Sequence, residues 1–138
     1  MMLLSGQWYN VGMSKITIYH GSKSIIKQPI YHYGSPNNDY GYGFYCTEDI
    51  ELAKEWACKN EIKKGYVNKY KIDLSDLNVL DFTQSQYNVL NWIAILAKFH
   101  KRKLVTDIAR EGREFLLNKY YLDVEQYDVV IGYRADDS

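Results

Sequence analysis

In this chain of 138 residues, 17 basic side chains balance 17 acidic ones, so no net field draws it to nucleic acid or to an anionic membrane. The length suits one domain, and 46% apolar with 25% charged residues is the balance of a globular fold rather than a disordered tail. No apolar run approaches the roughly 18 residues that a membrane-spanning helix needs, so no membrane partner is expected.

Residues 1–12, MMLLSGQWYNVG, lack the basic and apolar regions of a signal peptide. They read as a disordered N-terminal extension outside the fold, which leaves 13–138 as a single domain. KITIYH at Lys15–His20 alternates Ile16 and Ile18 with Thr17 and Tyr19, the pattern of a strand, and Gly21 and Ser22 end it. Ser24–Lys27 suits a short helical turn before Pro29. Tyr31–Tyr40, with Gly34, Pro36, Asn37 and Asn38, is a polar loop placed to cover a neighbouring cleft.

The stretch GYGFYCTEDIELAKEWA at Gly41–Ala57 joins a strand to a helix without a linker. Phe44 and Tyr45 favour a strand, and Thr47-Glu48-Asp49 supplies a cap and acids suited to a helix start near Glu48. Leu52, Ala53, Trp56 and Ala57 then share one helical face. YVNKYKI at Tyr66–Ile72 is a second clear strand, and Val79, Leu80 and Phe82 make a short third after a turn at Asp73–Leu77.

Thr83 is expected to cap a helix over about Ser85–Phe99, with Tyr87, Leu90, Ile93, Ala94 and Ala97 buried. A further helix over about Leu104–Lys119 would bury Leu104, Val105, Ile108, Ala109, Phe115 and Leu116, with Gly112 weakening its middle. The cations Lys98, Lys101, Arg102 and Lys103, with His100 among them, read as a solvated helix end rather than a phosphate or nucleic-acid site. YDVVIG at Tyr127–Gly132 is the last strand. Strands on both sides of a helical block make an α+β domain.

Cys46 and Cys58 stand twelve apart, neither a metal-ligand pair nor a redox dithiol, so no metal is expected and a reducing cytoplasm fits. The 14 tyrosines against 4 phenylalanines are consistent either with drift in composition or with a flat, wet aromatic groove. Tyr45 at its strand end and Trp56 on the following helix can flank such a slot, shaped for a planar heterocycle. No glycine-rich phosphate loop or nucleophile elbow is present.

Three signals occur in order: Tyr19-His20-Gly21-Ser22 closing one strand, Gly43-Phe44-Tyr45-Cys46-Thr47 closing the next, and Trp56 eleven residues after Tyr45. Together they resemble the diphtheria-toxin and poly-ADP-ribose polymerase branch of the ADP-ribosyltransferase superfamily. The later chain more loosely resembles a group of small bacterial and phage proteins of that superfamily. The Asp39 to Tyr45 segment and the Tyr127 to Gly132 strand followed by Ala135-Asp136-Asp137 carry that likeness.

The resemblance implies a split β-sheet core with helices between the strands and NAD as substrate. His20 would bond a ribose hydroxyl, Gly21 would bind the carboxamide through its backbone, and Ser22 would complete that cofactor-binding motif. Tyr45 and Trp56 would sandwich the nicotinamide, Trp56 replacing the tyrosine usual there. Transfer also needs a late-strand carboxylate to stabilise an oxocarbenium-like transition state. Glu125 is the best local candidate for the catalytic role, Asp128 the second, and Asp136 and Asp137 equally suit a solvated tail.

Relatives of the small group continue into a further strand bearing Glu or Gln, whereas this chain stops at Ser138, which leaves truncation and degeneracy both open. The expected function is an NAD-dependent mono-ADP-ribosyltransferase acting on an unidentified acceptor. It would serve as the toxin of a toxin-antitoxin or phage-conflict pair, with an antitoxin protein as partner. The alternative is an inactive module of the same fold that binds a protein.

Overall fold

A computed structural model describes residues 2–5, 14–30, 32–59, 64–100 and 103–134. In chain order the elements are β1 (Met2–Ser5), β2 (Lys15–Ser22), β3 (Phe44–Thr47), α1 (Ile50–Ala57), β4 (Tyr66–Asp73), β5 (Val79–Asp81), α2 (Val89–Phe99), α3 (Asp107–Lys119), a 3-10 turn (Val124–Gln126) and β6 (Val129–Gly132). Among the described residues the strands form one mixed sheet in the order β4-β2-β3-β1-β6-β5, and the domain is of the α+β class. No helix among the described residues is long and apolar enough to cross a membrane.

The alternating strands meet in register: β2 and β4 run antiparallel from Lys15 opposite Asp73 to Ser22 opposite Tyr66. Alternation also sorts the core onto two faces. Val130 packs with Tyr40, Leu80, Phe82, Ile95 and Val124, while its neighbours Val129 and Ile131 pack with Ile18 and Cys46.

Met2–Ser5 is not part of an extension outside the fold. It lies parallel to both β3 and β6, with Met2 opposite Phe44 and Val129 and Ser5 opposite Thr47 and Gly132. The physical reason is backbone pairing: without β1, β3 and β6 would each leave a row of peptide groups without strand partners. The expected split is therefore bridged, since β1 joins β4-β2-β3 to β6-β5. Residues 6–13, like Tyr31, Lys101, Arg102, Asp136 and Asp137, lie outside the described residues.

Helix starts follow the strongest side-chain cap rather than the first apolar repeat. Asp49 caps α1 by accepting from the Glu51 and Leu52 amides, so the helix begins at Ile50. α2 begins at Val89 rather than Ser85, because Asn88 and Asn91 exchange side-chain bonds with each other's backbone while Thr83 is spent on Asp81. Ala94 and Ile95 are its buried residues.

α3, capped by Thr106, packs on α2 rather than on the sheet and buries no residue. Val105, Ile108 and Phe115, expected in the core, are exposed. Ser24–Lys27 is not helical either. The Ile26 amide is held by Asn68 Oδ1 at 2.8 Å and its carbonyl by the Tyr70 hydroxyl at 2.5 Å, which fixes the segment along β4 instead.

Candidate functional site

β2 and β3 pair at Tyr19 opposite Thr47 and then diverge, because the C-terminal end of β2 stays with β4. The opening is a cleft of about 780 Å³, within the size range of small-molecule sites. His20 and Gly21 line one wall, Phe44 and Tyr45 the other, and Trp56 of α1 borders it. Residues 24–30 and, from the loop expected over Tyr31–Tyr40, Tyr33, Gly34, Asn37, Asn38 and Asp39 supply much of the remaining rim.

His20 ties the diverging strands together. Its Nδ1–H donates to the Tyr45 carbonyl at 2.6 Å, and its ring lies 4.3 Å, centre to centre, from Phe44. A carbonyl only accepts, so this bond fixes the tautomer; burial outweighs it and holds the imidazole below its ordinary pKa, in the neutral form. Neutral imidazole with Nδ1 protonated presents Nε2 as an acceptor. A ligand hydroxyl is a matching donor.

Tyr45 is fixed at both ends. Its hydroxyl donates to the Gly41 carbonyl at 2.9 Å and accepts from the Tyr40 amide at 3.1 Å. Gly41 has φ +77°, a left-handed conformation that glycine adopts without a Cβ penalty, so the turn that holds the ring depends on it. Burial raises the Tyr45 hydroxyl pKa well above the usual phenol value, so it stays protonated and donating.

Gly21 has a packing role that the motif alone did not reveal. A Cβ there would lie 2.0 Å from the Ala53 carbonyl oxygen and 2.6 Å from the Ala57 amide. The glycine, with the buried small residues Ala53 and Ala57, lets α1 sit close on β2, and that approach brings Trp56 to the cleft. Trp56 itself is half-buried, with Ala53 and Ala57 forming the inner stripe.

Three expected residues are placed elsewhere. Ser22 does not line the cleft; its hydroxyl donates to the Ser24 carbonyl at 2.5 Å and accepts from Asn68 Nδ2 at 2.9 Å. Glu125 is exposed in the 3-10 turn before β6, away from the cleft lining. Asp128 likewise is exposed and accepts from the Asn78 amide, joining the starts of β5 and β6.

Three site residues escaped sequence reasoning. Asn68, 8% exposed, bonds Ile26, Ser22, Ser24 and the His20 carbonyl, so it shapes the wall on which His20 stands. Its signal was a polar residue at an inward position of β4. Asp39 and His100 also line the cleft, with Asp39 Oδ1 2.7 Å from His100 Nε2. His100 is thus turned into the site, whereas Lys98 and Lys103 are exposed.

Lys27, Lys59 and Arg134 complete the charged lining, a cationic excess over Asp39 that suits a phosphate-bearing ligand. Among the described residues no group of three or more His, Cys, Asp or Glu side chains is arranged to hold a metal ion.

The family model described as "Protein of unknown function (DUF3990)" matches residues 16–138. No curated protein and no solved structure gives a significant match.

Proposed function

The chain belongs to the DUF3990 family, and we propose that it is an NAD-binding protein of the mono-ADP-ribosyltransferase kind. The observation that carries this reading is convergence: His20, Gly21, Tyr45 and Trp56, from two strands and a helix, border one cleft. Tyr45 and Trp56 stack on the nicotinamide ring, and Gly21 meets the carboxamide with its backbone. His20 Nε2 accepts from a ribose hydroxyl, while the cations of the rim face the pyrophosphate. Ser22, committed to its own turn, takes no part.

NAD is the substrate, and its ADP-ribose passes to an acceptor nucleophile. Cytoplasmic toxin action restrained by an antitoxin protein is the biological setting this chemistry fits. The second reading, an inactive module that binds a protein, is favoured by one observation: Glu125 stands outside the cleft lining. Incubating the full chain with NAD labelled in the adenylate and in the nicotinamide, with and without cell lysate, separates the two. Release of nicotinamide with labelled macromolecules supports transfer; retention of all label in NAD supports the module.

A further inference from the structure

We infer that Asp39, oriented by His100, is the carboxylate that faces the reacting ribose carbon, in place of a late-strand acid. This rests on the NAD reading above. Among the described residues lining the cleft, Asp39 is the one carboxylate. It sits directly before Tyr40, whose amide bonds the Tyr45 hydroxyl, so backbone geometry ties it to the proposed nicotinamide platform. Its negative charge reaches both Tyr40 and Tyr45, raising the pKa of each hydroxyl further.

The carboxylate is held from both sides. Gly41 N–H donates to the Asn38 carbonyl at 2.9 Å, closing the turn that carries Asp39, and the Tyr40 hydroxyl anchors the same turn on the Tyr133 carbonyl at 2.5 Å. His100 is fixed by its place at the end of α2, where its amide bonds the Leu96 carbonyl at 2.8 Å. The Asp39 and His100 side chains are 19% and 27% exposed, sheltered but open to the cleft. A sheltered carboxylate acts on a developing cation more strongly than one in bulk water.

In the reaction the bond from the ribose C1 to the nicotinamide nitrogen breaks and its electron pair leaves with the nitrogen, which becomes neutral. Positive charge grows on the ribose opposite the Asp39 carboxylate. The acceptor oxygen, water in the simplest case, forms the new C1–O bond. Its proton passes to the Asp39–His100 pair and on to solvent, so NAD and water give ADP-ribose, nicotinamide and one proton. His100 is a positioning residue that holds the carboxylate's orientation. A purely structural pair would instead be a strut between the turn and α2.

The test compares full-length wild type, Asp39→Asn and His100→Ala for nicotinamide release, NAD affinity by tryptophan fluorescence, and melting temperature. Asp39→Asn should lower kcat by about 100-fold, the scale of losing one electrostatic contact to a transition state, with NAD affinity and melting nearly unchanged. His100→Ala should lose less, and added imidazole should restore part of its rate. Asp39→Asn turning over at the wild-type rate overturns the inference, as does failure of both variants to fold. Wild type that binds NAD but releases no nicotinamide also overturns it while leaving the binding reading intact, whereas wild type that fails to bind NAD overturns that reading first.

Discussion

His20 serves the fold with one nitrogen and is offered to the ligand with the other. His20→Ala should therefore weaken NAD binding by about 1–2 kcal/mol and also lower stability by about 1 kcal/mol, since the Tyr45 carbonyl loses its partner. The pH dependence has a definite sign. The folded imidazole lies below the ordinary value of 6.5, so the unfolded chain takes up a proton first, and stability falls as pH drops from 6.5 through the folded value. Protonated Nε2 would donate rather than accept, so NAD affinity falls in the same window. Urea unfolding and NAD titration above and below pH 6.5 check both, and His20→Ala should lose that part of each pH dependence.

Asn68 makes a second residue-scale case. Replacing it with Leu keeps the volume but leaves the Ile26 amide without its acceptor, at a cost of about 1–3 kcal/mol. The wall carrying His20 should loosen with it. The expected outcome is a lower melting temperature together with weaker NAD binding, whereas Asn68→Leu with unaltered affinity would mean that the turn does not shape the site. This role was invisible in YVNKYKI, because alternation marks Asn68 as inward but does not identify partners some 40 positions away.

At the scale of elements, strand positions were legible wherever apolar and polar residues alternate, as in β2 and β4, and the two-residue rhythm matched the observed pairing. Helix starts were not, because Thr83 and Asn88 both qualify as caps and the winner depends on Asp81 and Asn91. α3 exposes the limit of amphipathic patterns: periodicity identifies a stripe but not what faces it. Because α3 rests on α2, partly through Arg113 Nε bonded to the Ala97 carbonyl at 2.9 Å, much of its stripe meets solvent. Ile108, 82% exposed, should thus accept Lys with a stability change within about 0.5 kcal/mol. A chemical denaturation series on Ile108→Lys measures it, and a loss several times larger would mean that this face is covered.

For the whole molecule, the cleft arises from a conflict of pairing: β2 follows β4 to its end, so β3 must leave it. Motif spacing singled out His20, Gly21, Tyr45 and Trp56, and the fold brings these four, from β2, β3 and α1, to the border of one cleft. It could not foretell Asp39 and His100, which are distant in sequence and meet only when the turn before β3 packs against the end of α2. Nor could it foretell β1, whose four residues are too few to display a period and whose place is set by the two strands it joins.

Titration of the full chain with NAD, followed by tryptophan fluorescence in wild type and Trp56→Ala, tests the central claim most directly. Wild type should show saturable quenching, because nicotinamide stacks on Trp56, and Trp56→Ala should lose both most of the quenching and about 1 kcal/mol or more of affinity while keeping its fold. Wild type without saturable quenching, or Trp56→Ala quenched as strongly as wild type, would contradict the assignment of this cleft to NAD.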